Sequence, residues 1–123
     1  MLTREDIEDM AKITIPQTKM SPMQYSLWVE GKIMTTGNDR LVENVLGLVG
    51  EAGEIAEKVK KQIRDGKMWS GEDAIKELGD VMFYVVALAN HFDSDLDEVL
   101  QRNVDKLNSR EERGVLGGSG DDR

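Results

Sequence analysis

The 123-residue sequence contains no cysteine, two prolines and few aromatic residues. Without cysteine it can form no disulfide, no thiolate nucleophile and no cysteine-ligated zinc site. No apolar run approaches the roughly 20 residues that a membrane-spanning helix needs. The first six residues are too polar and acidic for a signal or transit peptide. These features predict a soluble, cytoplasmic protein with no membrane partner.

Positive charge is also scarce, since 16 Lys and Arg residues face 24 Asp and Glu residues and leave a net charge of −8. Sequence-independent binding to DNA or RNA depends on a basic surface. We therefore expect no nucleic acid polymer as a partner. A small phosphorylated ligand is compatible with this charge, because metal ions bridge acidic side chains and phosphate oxygens.

The length predicts one domain. Residues 1–20 are expected to form an N-terminal arm, with a short helix near Arg4–Lys12. Residues 21–113 are expected to form the helical domain, and residues 114–123 are a glycine-rich C-terminal tail. The tail either frays at the end of the chain or folds over a ligand.

Apolar periodicity and capping residues predict four firm helices, and no convincing strand pattern occurs. Their expected ranges are Pro22–Glu30, Arg40–Arg64, Gly71–Asn90 and Asp95–Glu112. Capping boxes are predicted at Ser21/Gln24, Ser70/Asp73 and Ser94/Asp97. Gly37-Asn38 is typical of a turn, and Asp65-Gly66 of a helix end. The fold class is therefore all-α, a small bundle of four to five helices.

The most informative feature is a pair of acidic motifs on the two central helices. Glu51 and Glu54 are three residues apart, as are Glu77 and Asp80. On a helix this spacing places the two side chains about 60° apart, on one face. If the two helices face each other, four carboxylates meet, and a hard divalent cation such as Mg²⁺ would relieve their repulsion.

A plainer interpretation is two amphipathic helices with acids at the margins of their apolar stripes. The shared phase of the two acid pairs favours a functional site. Gly47, Gly50 and Gly53 allow either close helix packing or clearance beside Glu51 for metal and substrate.

Other polar residues recur at helical spacing near these motifs. Lys58 and Lys61 either bind phosphate or form surface ion pairs, Glu54–Lys58 and Glu57–Lys61. On the last helix a polar strip either reaches phosphate oxygens or forms a solvated face. The strip consists of Asn103, Lys106 and Arg110.

Aromatic and apolar residues suggest contacts to a base and to a second subunit. Tyr84 follows Asp80 by one turn, and Trp28 lies on the first firm helix. Either residue can stack on a base, although packing is the commoner role of a tryptophan. The third helix is apolar around much of its circumference, which favours coverage by a partner subunit. The apolar residues of the fourth helix, Leu96, Val99, Leu100, Val104 and Leu107, are expected to face inward.

The segments Gly47-Leu-Val-Gly-Glu-Ala-Gly-Glu-Ile-Ala-Glu57 and Lys76-Glu-Leu-Gly-Asp-Val-Met-Phe-Tyr84 resemble the Glu-x-x-Glu and Glu-x-x-Asp helices of a known family. This family is the MazG-like, all-α nucleoside triphosphate pyrophosphohydrolases. The segment from Asn103 to Arg110 and the glycine-rich tail are similar to small single-domain members, including those of phages.

The resemblance implies hydrolysis of an NTP or dNTP to the monophosphate and pyrophosphate with Mg²⁺, for which Mn²⁺ can substitute. By position it makes Glu51, Glu54, Glu77 and Asp80 the metal ligands. It places Lys106 and Arg110 near phosphate and Tyr84 near the base. It also implies a homodimer or a dimer of dimers. Gly50 stands where longer members have an additional glutamate.

The expected mechanism is attack of an activated water on phosphorus, most simply the α-phosphorus, with Glu54 as the candidate acid that orients or deprotonates the water. Two alternatives remain at this point. The chain could be a non-catalytic helical interaction protein with an acidic surface. It could also be a di-iron carboxylate protein, although it lacks the Glu-x-x-His motifs of that class.

Overall fold

A computed structural model describes residues 1, 3–5, 19–115, 117–118 and 120–121. The described chain contains helices α1 (Pro22–Lys32), α2 (Gly37–Asp65), α3 (Gly71–His91) and α4 (Leu96–Glu112), and no strand. The predicted all-α fold is therefore confirmed. Most of the helix predicted near Arg4–Lys12 lies outside the described residues. None of the described helices is both long and apolar enough to cross a membrane.

Two helix boundaries differ from the prediction at glycine residues. The helix α1 continues through Gly31 to Lys32, and α2 begins at Gly37, three residues before Arg40. Gly37 has a φ of 59°, so the predicted turn is compressed into the first helical residue. A glycine inside a helix costs only about 1 kcal/mol relative to alanine. Such a cost does not end a helix that packing holds in place.

The helix caps agree with the sequence at two of three places. Both bonds of the Ser21/Gln24 capping box form, at 2.8 and 3.1 Å. Ser70 accepts a bond from the Asp73 N–H at 3.1 Å, which is the first half of the predicted box. The Ser94/Asp97 box was wrong.

The cap of α4 is Asp95 instead, whose Oδ1 accepts a bond from the Glu98 N–H at 2.8 Å. The hydroxyl of Ser94 donates to the carboxylate of Glu98 at 2.8 Å. Asp95 provides a charged acceptor one residue later, which interacts more strongly with the free N–H groups at a helix start.

The helices α2 and α3 share the most extensive contact and run in opposite directions. Gly47 of α2 meets Tyr84 of α3, whereas Lys58, further along α2, meets Glu77, which precedes Tyr84. This antiparallel pairing places the middle of α2 opposite the first half of α3. The two acidic motifs occupy those two regions.

The core lies where α1, α3 and α4 converge. Val29, Val86 and Ala87 are fully buried, and Tyr25, Ile33, Phe83 and Leu96 pack around them. Ser26 is a polar junction within this core. Its hydroxyl accepts a bond from the Leu96 N–H at 3.0 Å, and its carbonyl accepts one from the Asn90 amide at 3.0 Å. Ser26 thus joins α1 to α3 and fixes the start of α4.

Beyond that junction, α4 extends away from the other helices. It contacts α1 and α3, and no described residue of α4 contacts α2. Within the described part of the chain, Leu96 is the one residue of α4 that packs on the core. The expectation that the whole apolar stripe of α4 faces inward was therefore wrong for the single chain. Four of its residues remain 37–51% exposed, namely Val99, Leu100, Val104 and Leu107.

Candidate metal and nucleotide site

Three carboxylates from two helices form one cluster. Glu51 comes from α2, and Glu77 and Asp80 come from α3. One oxygen of each lies within 4.8 Å of an oxygen of the other two. Because Glu77 and Asp80 are three positions apart on one helix, their side chains point in the same direction from α3 toward α2.

The carboxylates of the cluster repel one another, and this repulsion affects the pKa of Glu51. The pKa of Glu51 is raised, first by burial and then by the negative charges of Asp80, Glu77 and Glu54. Both causes disfavour the charged form of a carboxyl group. Carboxylate oxygens are the ligands that hard divalent cations prefer. The three carboxylates therefore offer oxygen atoms of the right kind, and these atoms are close enough together to bind one such cation.

Glu54 is not among the three clustered residues. Its side chain is exposed, and the described residues form no ion pair with it. Its charge nevertheless contributes to the raised pKa of Glu51. Glu54 is thus near enough to act on the cluster electrostatically and remains accessible to solvent.

The lysines of α2 do not form the predicted pairs. Lys58 Nζ lies 3.7 Å from Glu77 Oε1, across the interface between α2 and α3, instead of pairing with Glu54. Glu57 pairs with Lys60 at 3.1 Å instead of Lys61. A lysine that reaches a neighbouring helix gains a partly buried partner, whereas one that stays on its own helix gains only a solvated ion pair. Lys58 therefore belongs to the edge of the acidic cluster, and Lys61 is exposed.

Four aromatic side chains form a continuous group beside the acids. Tyr25 stacks on Trp28 with 5.7 Å between ring centroids. Trp28 meets Phe83 edge to face at 6.0 Å, and Phe83 meets Tyr84 in the same way at 5.3 Å. Trp28 is 45% exposed, and the Lys32 ammonium lies 5.5 Å from its ring centroid. The predicted aromatic residues Trp28 and Tyr84 thus belong to one group.

Tyr25 was missed by the sequence reasoning. Burial raises the pKa of its phenol, and the negative charge of Asp80 raises it further. Tyr25 therefore joins the aromatic group to the acid cluster. Its spacing of three residues from Trp28 on α1 is a signal for a stacked pair, but nothing in the sequence placed α1 beside Asp80.

The glycines of α2 serve different purposes. A Cβ atom at Gly47 would overlap the ring of Tyr84, so this residue permits close packing of α2 on α3. A Cβ at Gly50 or Gly53 would meet nothing within 4 Å. Close packing therefore accounts for Gly47, while Gly50 and Gly53 border open space next to Glu51 and Glu54.

The predicted phosphate-binding strip lies apart from the acids within one chain. Asn103 and Lys106 line an open groove of about 650 Å³ on α4, together with Val99 and Leu100. The described part of α4 makes no contact with α2, which carries Glu51. The chain alone therefore brings together the acids and the aromatic residues and leaves the basic strip on a separate surface.

Arg110 is not on a solvated face, because it is only 4% exposed. Its Nη2 donates to the carbonyls of Gly120 and Asp121 at 3.2 and 3.0 Å, and to the Asp121 carboxylate at 3.3 Å. Lys106 Nζ lies 3.2 Å from the same carboxylate. The described part of the tail thus folds back on the two basic residues of the strip.

The family model described as the MazG nucleotide pyrophosphohydrolase domain matches residues 41–115. The Gene 37 protein of Mycobacterium phage L5 is 56% identical over 82 residues, which is 63% of this chain and 72% of the phage protein. The uncharacterized protein YpjD of Bacillus subtilis (strain 168) is 38% identical over 72 residues, or 52% of this chain and 60% of YpjD. No solved structure gives a significant match.

Proposed function

We propose that this chain, which belongs to the MazG nucleotide pyrophosphohydrolase domain family, hydrolyses an NTP or dNTP to the nucleoside monophosphate and pyrophosphate. The observation that carries the proposal is the convergence of Glu51, Glu77 and Asp80 within 4.8 Å. All three lie inside the matched residues 41–115. A role in nucleotide-pool cleaning or phage nucleotide metabolism is consistent with this reaction.

The proposed cofactor is Mg²⁺, with Mn²⁺ as a substitute. Glu51, Glu77 and Asp80 would hold the ion, and Glu54 is the fourth proposed ligand. Burial and then the negative charges of neighbouring acids raise the pKa of Glu51, and a divalent cation would offset that repulsion, which supports the assignment. When bound, the ion would supply positive charge that neutralises triphosphate oxygens.

The proposed chemistry of the chain itself centres on Glu54. Its exposed carboxylate accepts a proton from a water molecule whose oxygen attacks the α-phosphorus. The bond from the α-phosphorus to the bridging oxygen breaks, and pyrophosphate leaves with the bonding electrons. Gly50 and Gly53 leave the space on this side of α2 that a substrate needs.

The remaining proposed site residues position the substrate. The aromatic residues Trp28 and Tyr84 would contact the base, since their group adjoins the acids through Tyr25 and Asp80. Positively charged side chains and one amide side chain would contact the phosphates, namely Lys58, Lys61, Asn103, Lys106 and Arg110. Phosphate contacts of this kind mainly fix the orientation of a substrate.

The proposed assembly is a homodimer or a dimer of dimers. Apolar side chains are exposed on α2, α3 and α4, including Leu46 at 65%, Leu78 at 56% and Val104 at 51%. An apolar surface of this extent indicates an interaction site. Light scattering at micromolar concentration should give at least twice the chain mass, and a monomer would contradict the assembly.

A substrate panel tests the reaction. Canonical and modified NTPs and dNTPs are incubated with the chain and Mg²⁺, and the products are resolved by chromatography. Monophosphate and pyrophosphate in equal amounts, lost on addition of EDTA, support the proposal. Release of orthophosphate, or no turnover of any nucleotide, would contradict it.

The exposed apolar faces also suit a non-catalytic interaction protein, which is the second candidate function. Such a protein has no reason to bind Mg²⁺ at the acid cluster. Thermal stabilisation by Mg²⁺ together with pyrophosphate release therefore separates the two functions.

A further inference from the structure

We propose that the Asp121 carboxylate occupies a polyphosphate-binding site formed by Lys106 and Arg110, and that the polyphosphate chain of a ligand displaces it. The inference rests on the proposed function, in which these two residues hold phosphate. It adds that the described tail residues 114–115, 117–118 and 120–121 form a strap over this binding site. The strap must then open for binding.

The contacts of the strap converge on one anion. The Asp121 carboxylate receives Lys106 Nζ at 3.2 Å and Arg110 Nη2 at 3.3 Å. These two bonds, with that of Lys106 foremost, lower the pKa of Asp121. Lys106 and Arg110 are four residues apart, so they lie on one face of α4 and can share a ligand. A carboxylate between two such cations stands where a phosphate group would form the same bonds.

The guanidinium of Arg110 has unused capacity for an anion. Its three hydrogen bonds to described residues of the strap all come from Nη2. Its Nε is buried and has no hydrogen-bond partner among the described residues. Phosphate can accept two parallel bonds from the Nε and Nη2 edge of an arginine, and a tetrahedral anion with several oxygens can also reach Lys106. A polyphosphate therefore satisfies donors that Asp121 leaves unpaired.

The strap is held in a way that permits exchange. The Asp121 side chain is 84% exposed and that of Lys106 is 44% exposed, so water and salt weaken their attraction. Four of the six described strap residues are glycines, and Gly114 and Gly120 have positive φ angles of 72° and 84°. The described contacts of Gly120 and Asp121 with Arg110 and Lys106 are polar, so a multiply charged ligand competes directly for them.

This exchange explains how a buried arginine can bind substrate. At 4% exposure, Arg110 cannot reach a ligand while the strap is closed. Opening at Asp121 uncovers the guanidinium and Lys106 together. The strap then acts as an intramolecular competitor, which lowers the apparent affinity for every anion by the same factor, so that a multiply charged anion with high intrinsic affinity still binds.

The test uses inorganic tripolyphosphate and the full chain in EDTA, so that the acid cluster does not contribute through a cation. Calorimetry should show that Asp121→Asn binds tripolyphosphate about three- to tenfold more tightly than wild type, since a neutral amide competes less well for the two cations. Asp97→Asn is the matched control. It removes the same charge from an exposed residue in the first turn of α4, at the opposite end of the helix from Arg110, and it should change the affinity less than about twofold.

Hydrogen exchange measures the strap itself. Tripolyphosphate should accelerate amide exchange in residues 114–121 of the wild type. Equal binding by wild type and Asp121→Asn, an equal gain in Asp97→Asn, or slower exchange of the strap would each overturn the inference. Pyrophosphate release from a nucleotide is measured separately. A negative binding result would therefore contradict the strap without affecting the proposed hydrolysis, and absence of hydrolysis would not alter the binding result.

Discussion

The ring of Tyr84 lies so close to the Cα of Gly47 that no Cβ atom fits between them. This contact sets the separation of α2 and α3 one turn away from the acids, because Gly47 precedes Glu51 and Tyr84 follows Asp80 by four residues each. The closeness of the three carboxylates therefore depends on a residue that has no side chain.

Gly47→Ala should destabilise the fold by about 1–3 kcal/mol, since an added methyl group must push Tyr84 out of its place. Gly50→Ala is the control, because its Cβ meets nothing within 4 Å. This control should be neutral or stabilising by up to about 1 kcal/mol through its better helix propensity. Urea unfolding at one fixed protein concentration measures both, and equal stabilities of the two variants would contradict the packing role of Gly47.

Glu51→Gln should make the metal-free chain more stable at neutral pH. Burial, and then the nearby negative charges, raise the pKa of Glu51 in the folded chain above its ordinary value. The stability that the protonated Glu51 contributes is therefore full below the ordinary pKa and is lost as pH rises through the raised pKa. In thermal melts in EDTA, the Tm should therefore fall less steeply between pH 4 and pH 8 for Glu51→Gln than for wild type. Glu43→Gln, at an exposed glutamate of α2 outside the cluster, should follow the wild-type curve.

Lys58→Met should strengthen Mg²⁺ binding about two- to fivefold, because Lys58 competes with the cation for Glu77 at 3.7 Å. Lys61→Met, which removes the same charge from an exposed position of α2, should have a smaller effect. Isothermal titration with MgCl₂ and no nucleotide measures both affinities. Weaker Mg²⁺ binding by Lys58→Met would show that the ion pair does not compete with the cation.

Ser26→Ala should cost about 1–3 kcal/mol, because it leaves the partly buried N–H of Leu96 without its acceptor. Ser109→Ala is a suitable comparison, since its hydroxyl accepts an exposed bond from Arg113 and its loss should cost less than about 0.5 kcal/mol. Denaturant unfolding gives both values. If the two substitutions cost the same, Ser26 does not join α1 to α4 as described.

The sequence predicted the helices because periodicity and capping are local properties. The Ser21/Gln24 box and the cap at Ser70 formed as expected. Three of the four acids met because the two pairs had the same phase relative to the apolar stripes. The cap at Asp95 was missed because Ser94 and Asp95 both suit that position. Tertiary contact through Leu96 and Ser26 decides between them.

Three features required knowledge of which helices meet. Tyr25 lies near Asp80 only because α1 packs on α3, and Lys58 reaches Glu77 only because α2 and α3 are antiparallel. The burial of Arg110 could not be predicted, since the glycine-rich tail has no periodicity that indicates where it folds. The exposed apolar stripe of α4 shows that apolar spacing predicts a buried face without saying what buries it.

The measurement that tests the central claim most directly is pyrophosphate release by Asp80→Asn and Glu54→Gln at saturating Mg²⁺, on the nucleotide that the wild type turns over fastest. Both variants should fold, because each removes a negative charge within or beside the cluster and so reduces repulsion. Their turnover should nevertheless fall by about a hundredfold or more, as expected when a metal ligand or a general base is removed. Glu43→Gln should retain wild-type turnover. Wild-type rates in both Asp80→Asn and Glu54→Gln would contradict a catalytic site at the acid cluster.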